Sequence, residues 1–70
     1  MNALVVLNVK DHAFTIQTNA EMIAIYCKQL QAGENREYNE RAIADSLRSI
    51  IVHAECATQD IAETVEEARP

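Results

Sequence analysis

The sequence has little of what breaks, staples or cross-links a chain. Glycine and proline occur once each, as Gly33 and Pro70, among 70 residues. With 49% apolar residues, that composition excludes a disordered, low-complexity chain and describes one small folded domain over 1–70. Cysteine occurs twice, as Cys27 and Cys56, too few for the disulfide framework that holds many small secreted domains together. No stretch comes near the roughly 20 apolar residues of a membrane span. The start "MNALVVLNVKD" has no basic residue ahead of its short apolar run and lacks the small-residue cleavage site of a secretory signal. A soluble, cytoplasmic protein is therefore expected.

Basic residues are also scarce: six Lys and Arg stand against eleven Asp and Glu, a formal charge of −5. Direct nucleic-acid binding needs a basic patch to neutralise phosphates, and anionic membranes need the same. Neither is expected. An acidic protein of this size meets basic surfaces of other proteins.

The first third of the chain reads as strands. "ALVVLNV" (3–9) is rich in β-branched and aliphatic residues, and "AFTIQT" (13–18) alternates Phe14 and Ile16 with Thr15 and Gln17. "KDH" (10–12) lies between them as a turn, although without the glycine that tight hairpin turns favour. The spacing then predicts a short helix over about 19–32. Thr18 and Glu21 are set as a capping box, Ile23, Tyr26, Cys27 and Leu30 form one stripe, and Gly33 sits where a left-handed C-cap is needed.

A long helix follows, over about 38–68, with Asn35 or Asn39 as its cap. Its stripe carries Ile43, Leu47, Ile50 and Ile51 in the first half and Ala54, Ala57, Ile61 and Val65 in the second. At 1.5 Å per residue this helix is about 45 Å long against about 20 Å for the first. The expected fold is thus α+β and mainly helical: an N-terminal β-hairpin, then a helical hairpin of unequal arms. The uncovered end of the long helix, and a chain that buries only about 60% of its unfolded surface, predict a homodimer. The stripe follows a period near 3.6, which argues against a coiled-coil rod.

Candidate chemistry is sparse. "IIVHAEC" (50–56) places His53 and Cys56 three apart, enough for two ligands where a structural zinc takes four; His12 and Cys27 show no ligand spacing. Pairing Cys27 or Cys56 with His12 or His53 would give a nucleophile and base, but no glycine-rich loop accompanies them. No metal, no cofactor and no enzymatic activity are expected. His53 instead edges a weak apolar patch of Val52 and Cys56. Asp45, Asp60, Glu63 and Glu67 are expected on the face opposite the stripe, where they would dock on basic residues of a partner. Acid at a helix C-terminus opposes the dipole, which favours such a role. Tyr38, Arg41 and Arg48 are further contact candidates, because tyrosine and arginine dominate interface energetics.

The function expected from these features is that of a non-catalytic acidic protein-protein interaction module, which binds and modulates or inhibits a larger macromolecule. In size, charge and lack of catalytic apparatus it is similar to the compact accessory inhibitors of bacteriophages and mobile elements. Two alternatives stand beside it: a small-molecule sensor or sequestering oligomer, with its ligand near Tyr26, Tyr38 and the arginines, and a structural subunit of a larger assembly.

Overall fold

The computed structural model describes residues 1–67 as two antiparallel helices, α1 over Ala3–Gln31 and α2 over Arg36–Glu67. Ala68, expected to end the second helix, and Arg69 and Pro70 lie outside the described residues. Among the described residues there is no strand. The expected β-hairpin is thereby corrected: 3–9, the KDH segment and 13–18 are successive turns of α1. β-Branched residues disfavour a helix by only a few tenths of a kcal/mol each, and no glycine or proline interrupts them. Packing along α2 outweighs so small a preference.

The first helix also starts elsewhere than its capping box. Asn2 is the N-cap, with its Oδ1 accepting the Val5 N–H at 2.9 Å. Thr18, in mid-helix, donates its hydroxyl to the Phe14 carbonyl one turn back, and Thr15 does the same to Asp11. Such back-bonding lets a hydroxyl sit inside a helix without ending it. The short helix over 19–32 is accordingly the second half of a 29-residue one, nearly as long as the 32 residues of α2. The arms are not unequal, and neither leaves its partner's end uncovered.

The turn is where the sequence signal holds. Gly33 takes φ +77°. Its N–H donates to the Leu30 carbonyl and that of Glu34 to the Gln29 carbonyl, the paired bonds of a Schellman stop. Asn35 precedes α2 at φ +41°, and its carbonyl accepts the Asn39 N–H. Asn39 is fully buried, and its Nδ2 donates to the Glu34 carbonyl at 2.8 Å. It ties the turn to α2 from inside the first turn rather than capping it.

Each helix faces the other with two rows of residues spaced alternately three and four apart. In α1 these are Val9, Ile16, Ile23 and Leu30, interleaved with Val5, His12, Asn19 and Tyr26. In α2 they are Ile43, Ile50, Ala57 and Thr64, interleaved with Asn39, Ser46, His53 and Asp60. All sixteen are half-buried or buried. The spacing is that of a heptad seam, which corrects the expected 3.6 period: half the seam positions are polar, so a reading of apolar residues alone does not find them. His12 lies opposite His53 and sets the register. No hydrophobic side chain among the described residues is fully buried. The result is a rod of 57 × 15 × 12 Å with a radius of gyration of 16.2 Å, against about 11 Å for a compact chain of this length.

Candidate functional site

The polar half of the seam is built from cross-helix pairs. His12 Nδ1 and His53 Nδ1 are 2.8 Å apart with the rings tilted at 50°. One ring donates its N–H and the other accepts with a lone pair. A pair in which both rings are protonated has no acceptor and cannot make this bond. Asp60 Oδ2 stands 3.9 Å from His12 Nε2, too far for a hydrogen bond. One step along the seam, Asn19 Nδ2 bridges the Thr15 carbonyl and the Ser49 hydroxyl. At the turn, Tyr26 and Tyr38 meet edge to face with centroids 6.3 Å apart.

These pairs relocate several of the expected contact residues. His53 is engaged with His12, a residue the turn assignment had set aside. Asp60 lies in the seam rather than on the opposite face. Tyr38 combines a ring contact to α1 with an exposed outer edge. Arg41 pairs with Glu37 at 3.2 Å and Arg48 with Asp45 at 2.7 Å, both on the exposed surface of α2. Together with Arg36 and Glu40 at 3.4 Å, these pairs leave the arginines near the turn already matched within the chain. Val52 and Cys56 are exposed. Cys56 flanks a shallow depression with His12, Glu55, Gln59 and Asp60. Both cysteines are free and exposed.

Glu63 and Glu67 come out differently from expectation. They line a depression at the open end of the hairpin together with the N-cap Asn2 and with Leu4, Val5 and Asn8 from the start of α1. That helix has no acidic residue in its own first turn. The antiparallel arrangement therefore brings the acids of α2 to the positive end of the α1 dipole, where they are favourable. Their position against the dipole of α2 alone no longer argues for a further role.

What the strand reading hid is the outer side of α1. Leu4, Leu7 and Phe14 are 67%, 57% and 71% exposed. Leu7 and Phe14, seven residues apart, point away from α2, and Leu4 continues their surface to the acidic depression. Extending the helical spacing of Ile16, Ile23 and Leu30 back to Val9 places them on this side. Among the described residues no group of three or more His, Cys, Asp or Glu is disposed to hold a metal, and no helix is long and apolar enough to cross a membrane. No protein-family model, curated protein or solved structure matches the chain.

Proposed function

We propose that this chain is a non-catalytic interaction module of the accessory-inhibitor kind, which docks on a larger protein with its open end. One observation carries the proposal: Leu4, Leu7 and Phe14 stand in solvent on the outer side of α1, and Leu4 borders the depression that Glu63 and Glu67 line. Large apolar side chains left in solvent beside charged ones are the composition of a protein contact. The partner it fits has an apolar pocket with basic residues around it. The formal charge of −5 suits such a partner and opposes nucleic acid. The two free cysteines are in keeping with a reducing, cytoplasmic setting.

The test is capture of a partner from the native host on immobilised protein, with variants as the control. Phe14→Ala is expected to weaken the captured complex about 30-fold, the loss typical of an interface anchor. Glu63→Lys with Glu67→Lys is expected to slow association and reduce its salt dependence. A partner held equally well by all three proteins, or a captured nucleic acid, would sink the proposal.

A further inference from the structure

A second row beside the seam is apolar and uncovered. In α1 it consists of Val6, Ala13, Ala20 and Cys27, and in α2 of Leu47, Ala54 and Ile61 after Glu40; every one is exposed. Since e-type positions of antiparallel helices lie on the same side, these residues share one broad face of the hairpin, away from the side that carries Cys56 and Glu63. With Val9, Ile16, Ile23, Ile43 and Ile50 from the seam they make an apolar surface at three-four spacing along the rod. The stripe legible in the α2 sequence is this surface, and the hairpin covers only one edge of it.

We propose that a second copy of this chain packs on that face, forming an antiparallel four-helix bundle with the two turns at the same end. The surface here is not the one assigned to the larger partner, so the two proposals stand or fall separately.

Three observations select a second copy. The first is area. The chain exposes 5344 Å², where a compact monomer of 7.8 kDa exposes about 4,400 Å². The excess of roughly 900 Å² matches both the face itself, about 850 Å² from its 57 by 15 Å extent, and the roughly 800 Å² per partner of a stable interface.

The second is shape. The uncovered row of α1 runs Val6, Ala13, Ala20 and Cys27, and that of α2 Leu47, Ala54 and Ile61. A two-fold axis along the rod sets α1 of one copy on α2 of the other; with His12 level with His53, Ala20 meets Leu47, Ala13 meets Ala54 and Val6 meets Ile61, an apolar contact at each of these layers.

The third is charge. The chain has two lysines, Lys10 and Lys28, and neither has an ion-pair partner among the described residues. Both lie on the outer rim of α1. With His12 level with His53, Lys10 is level with Glu55 and Lys28 with Glu37. Within one hairpin these residues sit on opposite outer edges. The axis along the rod carries Glu55 and Glu37 of the second copy to the rim beside Lys10 and Lys28.

Sedimentation equilibrium and carbodiimide cross-linking of the unaltered protein test the proposal together. The expected results are twice the chain mass at micromolar concentration and a Lys10–Glu55 link in the cross-linked dimer band. A melting temperature that rises over a hundredfold concentration series is expected with them. Ala20→Glu and Leu47→Glu, at positions already exposed in one hairpin, are expected to lower dimer affinity at least tenfold, while Asn8→Glu on the other side leaves it unchanged. Lys10→Glu weakens the dimer, and adding Glu55→Lys restores it. A single-chain mass with a concentration-independent melt overturns the proposal. So does a dimer that survives Ala20→Glu and Leu47→Glu but is lost with Phe14→Ala.

Discussion

His12 and His53 show how a residue acquires its role from a partner forty-one positions away. Each alone is a polar interruption on an otherwise apolar helix side; together they satisfy one another in the seam. Removing one ring leaves the other without its partner, whereas replacing both with apolar groups removes the need for one. His53→Leu is thus expected to destabilise the protein by about 1 kcal/mol, and His12→Leu with His53→Leu to return it to the original stability or above. Thermal denaturation of the two single variants and the double variant, taken as a cycle, checks this. Additive losses would mean that the rings do not act as a pair. Gly33 is a second case, with a different cause. Nothing lies within 4 Å of where its Cβ would be, yet its φ is +77°. Gly33→Ala should cost about 1 kcal/mol through the backbone alone, and Gly33→Asn less, since asparagine tolerates that region. A Gly33→Ala protein melting at the original temperature would contradict the stop described here.

At the scale of the helices, the acids near the end of α2 gain their sense from the neighbouring start of α1. Asn2 caps that start with a neutral side chain, and the first turn of α1 has no carboxylate of its own. Glu63 and Glu67 supply the negative charge from across the turnless end. Glu63→Gln and Glu67→Gln are each expected to lower stability by about 0.3–1 kcal/mol at low salt, with the effect fading toward 1 M salt. Urea titrations at the two ionic strengths measure it. A rise in stability on removing either acid would return them to opposing the dipole of their own helix. The first half of α1 is the other lesson at this scale. Its Val, Leu and Ile residues occur on several sides, which suits a strand buried on both faces as well as a helix covered on more than one. Only the three-four spacing from Val5 and Val9 through His12 to Ile16 separates the two, and it runs through the polar KDH segment.

For the whole molecule, shape carries the meaning. A hairpin with a half-polar seam and no fully buried hydrophobic residue among those described has little to hold it together alone. A second copy stacked side by side would thicken the rod without lengthening it. Small-angle scattering should therefore give a maximum dimension close to that of one hairpin, 57 Å between its Cα extremes, at twice the mass. A particle nearly twice as long would indicate end-to-end association and exclude the bundle. In that bundle His12, His53 and Asp60 lie in an outer groove rather than in the core, which accounts for a polar row tolerated so regularly. Leu4, Leu7 and Phe14 would remain exposed on the flank, where the proposed larger partner docks.

The sequence alone determined the stop at Gly33, the continuous helix after the turn, its apolar stripe and the excess of acid, because each depends on residues within a few positions of one another. Tertiary structure decided that 3–18 is helical, since local preference there is small and α2 provides the surface that settles it. It also decided that the arms are matched in length and that His12 answers His53. Finally, it set how far each helix is turned about its own axis. That rotation follows from two helices meeting side by side, and it leaves the most apolar face of each turned only partly toward the other.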